Sequence, residues 1–208
     1  MTGTAAGRAP VVTDVAAVAE ALAGGALVGI PTDTVYGLAV LATAPGAGAL
    51  LAAAKGRDAG VAAQVLVADI AQAEVLAGPD GLAPAARRLA ERLWPGGLTI
   101  VTDRRPGLAM DLGGDATSIG LRCPDHSVVA GLCRQVGPLA ATSANVHGQP
   151  PLVDADAVAA TFAGSVAVVL DGGPGSQGAS TVVDVRGATP RLLREGAVPW
   201  SSVLDASP

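Results

Sequence analysis

At 208 residues the chain is long enough for one well-buried domain and short for two, and a formal net charge of −5 argues against a surface coated with positive charge for nonspecific nucleic-acid binding. Half of the residues are hydrophobic, but two Trp, one Tyr and one Phe supply every ring, so the core must be built from small and branched side chains. The most apolar span, residues 39–54, is broken by Thr43, Pro45, Gly46 and Gly48 and falls short of the roughly 20 uninterrupted apolar residues of a membrane helix; with no secretory stretch in residues 1–10, a soluble, cytoplasmic protein is expected.

In chain order, residues 14–22 place apolar side chains at helical intervals after a Thr13/Asp14 cap, and Gly24 and Gly25 end the run. A strand at 26–30 stops at Pro31, where Thr32, Asp33 and Thr34 set two hydroxyls and a carboxylate side by side ahead of Tyr36, the only tyrosine. Loops at strand ends are where sites are built, although these residues also suit a turn whose side chains bond their own backbone. Residues 47–54 predict a second helix, ending at Lys55-Gly56-Arg57-Asp58. Lys55 is the one lysine among 13 Lys and Arg residues, which hints at a need for a compact ammonium there. Two cations flanking a glycine suit the C-terminal end of a helix dipole, and they equally suit a phosphate clamp in which Gly56 lets the backbone come close.

Residues 65–67 predict a short strand, 71–76 and 84–93 helices, and Trp94-Pro95-Gly96-Gly97 a sharp turn into a strand at 98–102. After a Gly- and Asp-rich loop at 104–116, a strand at 118–122 finishes in Arg122 and breaks at Pro124. A helix at 128–136 and a strand at 139–141 lead into Thr142-Ser143-Ala144-Asn145, a second cluster of small polar side chains at a strand end. A helix at 154–162, a strand at 166–170, a glycine-rich loop at 171–179 and strands at 180–185 and 191–194 close the order. The alternation predicts a single α/β domain over residues 1–208, a twisted mixed β-sheet with flanking helices.

Among chemical motifs, Gly173-Pro174-Gly175-Ser176-Gln177-Gly178 matches a dinucleotide pattern in form only, because a strand and not a helix follows it. Ser143 could pair on paper with His126 or His147, but it lacks a nucleophile elbow; His126 reads as a helix-start residue and His147 as a solvated loop residue. Cys123 and Cys133 have neither metal spacing nor a disulfide framework and are expected to be reduced, half-buried thiols, so no protein metal site is expected. What recurs is a polar loop at a strand end (32–34, 142–145, Ser180-Thr181) together with a cation at an element end (Lys55, Arg57, Arg122, Arg194). If these ends gather on one face, they make an open concave cleft of hydroxyls and positive charge that fits a polyanion such as a nucleotide.

These residues carry a family resemblance. Pro-Thr-Asp-Thr-Val-Tyr-Gly-Leu (31–38), Lys-Gly-Arg (55–57), Trp-Pro-Gly-Gly-Leu-Thr (94–99), Gly-Leu-Arg-Cys-Pro-Asp-His (120–126), Ala-Thr-Ser-Ala-Asn (141–145), Asp-Gly-Gly-Pro (171–174), Ser-Thr-Val-Val-Asp (180–184) and Arg-Glu-Gly (194–196) occur in the order of the YrdC-like family, over about residues 12–204. The chain resembles the short bacterial threonylcarbamoyl-AMP synthases of that family, without the extra C-terminal domain of longer relatives.

The resemblance implies synthesis of threonylcarbamoyl-AMP from L-threonine, bicarbonate and ATP, with Mg²⁺ accompanying the nucleotide and pyrophosphate released. The product would pass to a tRNA threonylcarbamoyltransferase complex for threonylcarbamoyladenosine formation. By the same resemblance Lys55 and Arg57 would hold ATP phosphates and act in catalysis, with Ser118, Ser143, the Ala144 backbone, Asn145 and Arg194 also on the nucleotide. Thr34, Arg122, Thr142 and Ser180 would line the threonine. The chain departs from the family at Asp58 and Ala62, where prolines are common, which predicts a more mobile loop; at His147-Gly148, where Ser-Gly is usual; and at Val61 and Leu66, where some relatives use Asn and His. Two alternatives stand beside this reading: a YrdC-like module holding double-stranded RNA weakly on its concave face, and a carbamoyl-adenylate-forming enzyme like the domains found in hydrogenase-maturation proteins.

Overall fold

The computed structural model describes residues 7–58, 60–175 and 178–207; Ser176 and Gln177 of the predicted glycine-rich loop lie outside them. Along the chain the elements run β1 (Val11–Val12), α1 (Val15–Ala23), β2 (Val28–Ile30), β3 (Gly37–Leu41), α2 (Ala47–Lys55), β4 (Gln64–Leu66), α3 (Ile70–Glu74), α4 (Pro84–Leu93), β5 (Leu98–Asp103), β6 (Ser118–Arg122), α5 (Ser127–Val136), β7 (Leu139–Ser143), α6 (Ala155–Thr161), β8 (Val168–Leu170), β9 (Thr181–Asp184), β10 (Arg191–Arg194) and α7 (Trp200–Ala206). Local chemistry accounts for the helix ends. Asp14 accepts from the Ala16 N–H at 2.9 Å, Asp154 from the Ala157 N–H at 2.7 Å, and Pro84 opens α4 where its missing N–H costs nothing.

All ten strands join one mixed sheet in the order β1-β8-β2-β3-β7-β4-β6-β5-β9-β10. The pairs β1–β8, β2–β8, β4–β6 and β5–β9 are parallel and the others antiparallel. Three elements escaped the sequence reading: β1, β3 and α7. The strand β3 matters most, because it returns the chain from the 31–36 loop and pairs along its whole length with β7, Gly37 opposite Ser143. That pairing sets the two polar loops side by side.

Strand alternation divides the apolar side chains between two clusters. Val28, Ile30, Ala39, Leu66, Leu139 and Ala141 pack with Val18 and Leu22 of α1 and Val129 and Leu132 of α5. Their neighbours in sequence, among them Leu38, Val40, Val65 and Ala140, point the other way and pack with residues of α2, α4, α6 and α7. Helices α1 and α5 therefore cover one face only over the β8-to-β4 half of the sheet. Over β6, β5, β9 and β10 that face is left open, and it forms the floor of a cavity.

The cysteines correct one expectation. Both are free and buried, not half-buried, because Cys133 lies on the sheet-facing side of α5 and Cys123 beneath the turn after β6. Burial pushes the Cys133 thiol up to about 12 and raises Cys123 as well. Among the described residues no helix is long and apolar enough to cross a membrane.

Candidate active site

The open half-face carries a cavity of about 580 Å³. Its floor follows the two-residue period of the strands: Gln64 and Leu66 on β4, Ser118, Gly120 and Arg122 on β6, Thr99 and Val101 on β5, Val182 and Asp184 on β9. Gly120 lies in the middle, where a Cβ would sit 3.4 Å from Thr99 and 3.8 Å from Val101, so a side chain there would fill the floor. The residues between these, Val65, Ile100, Leu121 and Val183, are fully buried on the helix side.

The loop after β2 forms one wall. Thr32 Oγ1 donates to the Val35 carbonyl at 2.6 Å, accepts from the Thr34 N–H at 3.2 Å and meets Thr34 Oγ1 at 3.0 Å. The local turn reading of these residues therefore holds, and it shapes the wall. Tyr36 is fully buried, and its hydroxyl donates to the Gly173 carbonyl at 2.8 Å and accepts from Gly172 N–H at 3.3 Å, tying the glycine-rich loop down beside it. Arg122, at the end of β6, reaches across with its guanidinium committed on three edges: Nε to the Gly96 carbonyl at 3.0 Å, one terminal nitrogen to Thr34 Oγ1 at 3.0 Å, the other to Asp33 at 2.6 Å. Its side chain is 3% exposed. Arg122 is thus a buried structural ion pair as well as part of the cavity lining.

The remaining cations stand differently. Lys55, Arg57 and Arg194 all line the cavity, and none forms an ion pair with a carboxylate among the described residues. Among the described residues Arg57 Nε is buried without a hydrogen-bond partner, and the guanidinium makes a long contact of 3.4 Å to the Val61 carbonyl. Arg194 reaches this face through a β-bulge: the register with β9 shifts between Leu192 and Arg194, setting Arg194 opposite Val182, whose side chain lines the floor. Arg186 and Arg191 also line the cavity, but both hold Asp184, whose carboxyl is pulled down to about 2 by hydrogen bonds from Arg186 first of all. In all, six cations and two carboxylates, Asp115 and Asp184, line the space in a chain of net charge −5.

Gly56 has a structural role at this helix end. It caps α2 in the left-handed region at φ 63°, where a side chain would be strained, and its N–H returns to the Ala52 and Ala53 carbonyls. The ammonium of Lys55 is spent on the loop after β7, donating to the Ser143 carbonyl at 2.8 Å, Ser143 Oγ at 3.2 Å and Asn145 Oδ1 at 2.5 Å. Burial, with Arg57 and Arg194 adding to it, lowers this ammonium from 10.5 to about 8. The sign of the consequence differs for folding and binding. Between pH 8 and the ordinary lysine range the unfolded chain holds the proton that the native state has lost, so this group's contribution to stability improves as pH rises. Anion affinity runs the other way, since the charge disappears. Isothermal titration with ATP from pH 7 to pH 9 is expected to show a several-fold loss of affinity that sets in near pH 8 and is absent in Lys55→Ala; a flat wild-type profile would contradict it.

Of the residues expected from sequence, Lys55, Arg57, Ser118, Ser143 and Arg194 on the nucleotide side and Thr34, Arg122, Thr142 and Ser180 on the threonine side all line the one cavity. Ala144 and Asn145 do not. The Ala144 N–H and carbonyl are taken by Tyr36 and Leu152, and Asn145 acts from behind, accepting from Lys55 and Ser143. Gln64, Thr99, Asp115, Arg186 and Arg191 were missed. The signal that finds Gln64 and Thr99 is parity within their strands: each shares its face with Arg122 and Gly120, not with the apolar core. Of the departures, Val61, Ala62 and Leu66 line the cavity, and Val61 is 57% exposed.

A family model for Sua5, YciO and YrdC proteins, described as "Telomere recombination", matches residues 20–196. The chain belongs to this family. It is 45% identical over 181 residues to a putative threonylcarbamoyl-AMP synthase of Mycobacterium tuberculosis, covering 86% of this chain and 82% of that protein. With the threonylcarbamoyl-AMP synthase of Bacillus subtilis it shares 39% over 176 residues, 83% of this chain but 50% of the relative. Among solved structures, Pyrococcus abyssi Sua5 complexed with L-threonine superposes with a TM-score of 0.87 at 32% identity, covering 95% of this chain and 60% of that one. Escherichia coli YciO, at 20% identity and a TM-score of 0.81 over 92% of this chain and 96% of its own, shares the fold. The α/β architecture around a mixed sheet is therefore that of the Sua5, YciO and YrdC family.

Proposed function

We propose that the protein makes threonylcarbamoyl-AMP from L-threonine, bicarbonate and ATP, transferring a nucleotidyl group and releasing pyrophosphate. The observation that carries this reading is the convergence of Lys55, Arg57 and Arg194, without carboxylate partners among the described residues, on a cavity that also presents Arg122 and the hydroxyls of Thr34, Thr142 and Ser180. Like charges held together in a partly desolvated space oppose folding, and a polyphosphate is the ligand that relieves them. The names of the relatives, and L-threonine in P. abyssi Sua5, support the same assignment.

In this reading Lys55, Arg57 and Arg194 neutralise the phosphates, while Ser118 and Ser143 lie on the nucleotide side. The exposed apolar side chains of Val61 and Leu193 on the cavity wall offer the base a dry flank. Thr34, Arg122, Thr142 and Ser180 receive the amino acid. The threonine nitrogen attacks the bicarbonate carbon, forming the carbamate with loss of water. A carbamate oxygen then attacks the α-phosphorus, forming an O–P bond as the bond to the pyrophosphate oxygen breaks. Catalysis of this kind is positioning and charge neutralisation in the main, and no strong general base is needed. Mg²⁺ accompanies the nucleotide phosphates as part of the substrate and shares their charge. The mixed anhydride is a reactive product suited to prompt delivery to a tRNA threonylcarbamoyltransferase. Pyrophosphate release from ATP is expected to require threonine, bicarbonate and Mg²⁺ together; release that is indifferent to threonine would refute the assignment.

A further inference from the structure

Side chains from β10, the residue before β9, β5 and β4 form one hydrogen-bonded line across the cavity floor, passing over Gly120 of β6 between the last two. Arg194 donates from a terminal nitrogen to Ser180 Oγ at 3.1 Å, Ser180 Oγ lies 3.0 Å from Thr99 Oγ1, and Thr99 Oγ1 donates to Gln64 Oε1 at 2.7 Å. Ser180 and Thr99 are 3% and 2% exposed, so neither hydroxyl has bulk water as an alternative partner. With Gln64 presenting its Oε1 to Thr99, the two ends of the line fix its sense. A guanidinium can only donate and an amide oxygen can only accept, while each hydroxyl has one hydrogen and two lone pairs. Thr99 spends its hydrogen on Gln64, so the Thr99–Ser180 hydrogen must come from Ser180. Ser180 then has no hydrogen left, one lone pair is taken by Arg194, and a single acceptor lone pair remains for the cavity it lines.

We propose that Gln64 and Thr99 are positioning residues that force Ser180 to act toward the ligand as an acceptor only, and that the donor it receives is an N–H of the amino acid's amine. The inference rests on the threonylcarbamoyl-AMP reading of the same cavity. It explains why a polar amide stands in β4 among apolar neighbours. An amine about to attack a carboxyl carbon must keep its lone pair free. A hydroxyl free to rotate would donate to that lone pair and quench it, whereas one whose hydrogen is already committed can only take an N–H and so turns the lone pair away from itself. The nucleotide side is insulated from the device, because Arg194 is separately fixed by its Nε bond to the Ser180 main-chain carbonyl at 3.0 Å.

The test is a comparison of steady-state kinetics for wild type, Thr99→Val, Thr99→Ser and Gln64→Leu, with threonine and ATP varied separately. Loss of one neutral hydrogen bond corresponds to about three- to tenfold, so kcat/KM for threonine is expected to fall by that factor in Thr99→Val and Gln64→Leu. The KM for ATP is expected to stay within about twofold, and Thr99→Ser, which keeps the hydroxyl and removes only the methyl group, is expected to restore the wild-type value. Wild-type threonine kinetics in Thr99→Val, an equal loss for ATP, or failure of Thr99→Ser to rescue would each overturn the positioning role while leaving the reaction assignment standing. A wild-type protein that does not use threonine would overturn both.

Discussion

An Arg57→Ala variant is expected to keep its fold and lose about ten- to a hundredfold in affinity for ATP. The side chain gives the native state little to lose. Among the described residues its one hydrogen bond, 3.4 Å to the Val61 carbonyl, is at the edge of the permitted range, and its Nε is buried with no partner. A buried guanidinium nitrogen with nothing to donate to disfavours the free protein, and a bound phosphate would supply the missing acceptor. A hydrogen bond to a charged group is worth roughly 1.5–3 kcal/mol, hence the expected factor. Lys55→Ala is the less informative variant, because it also strips the donor from Ser143 and Asn145 and loosens the loop after β7. Isothermal titration with ATP, together with a thermal melt, checks the expectation; unchanged affinity in Arg57→Ala, or lost affinity that tracks a lost fold, would contradict it.

For Arg122→Ala the larger effect is expected on stability, about 3–5 kcal/mol, because truncating one partner of a buried ion pair leaves the other charge desolvated. The variant would remove the cation that Asp33 faces at 2.6 Å and would take one donor from the Gly96 carbonyl and one from Thr34 Oγ1 as well. Against the 5–15 kcal/mol of a typical domain, such a loss is large enough to confuse any ligand titration. The double variant Asp33→Ala/Arg122→Ala separates the two roles. It is expected to regain part of the stability, measured by urea unfolding, while threonine binding stays at least tenfold weaker than wild type. Recovery of threonine binding in the double variant would show that Arg122 acts only on the fold.

Much of the architecture was legible because local chemistry and tertiary packing agree in it. The helix at Pro84–Leu93 and the strands Ser118–Arg122 and Arg191–Arg194 have the bounds read from sequence, the first set by Pro84 and the Trp94-Pro95 break, the second by Pro124. Strand β3 was not legible, because Gly37-Leu-Ala-Val-Leu is a short apolar run with no period of its own. The polar loops and element-end cations could be named as candidates, since each breaks an apolar pattern. Their assembly could not, because it depends on strand order, on pairing of β3 with β7, and on a bulge that turns Arg194 inward. Nor could the sequence separate cations already paired from those still open. Arg122, with Asp33 89 positions away in the chain, and Arg57, with no partner for Nε, look alike as letters.

In the proposed reaction one cavity joins a carbon from bicarbonate to threonine and to AMP. Incubation with ¹⁴C-bicarbonate, ATP, Mg²⁺ and threonine, followed by chromatography of the nucleotides, tests it most directly. A labelled AMP adduct is expected that forms only when threonine is present, releases threonine on hydrolysis and appears in step with pyrophosphate. A labelled adduct that forms without threonine, or an adduct made from carbamoyl phosphate and not from threonine and bicarbonate, would contradict it.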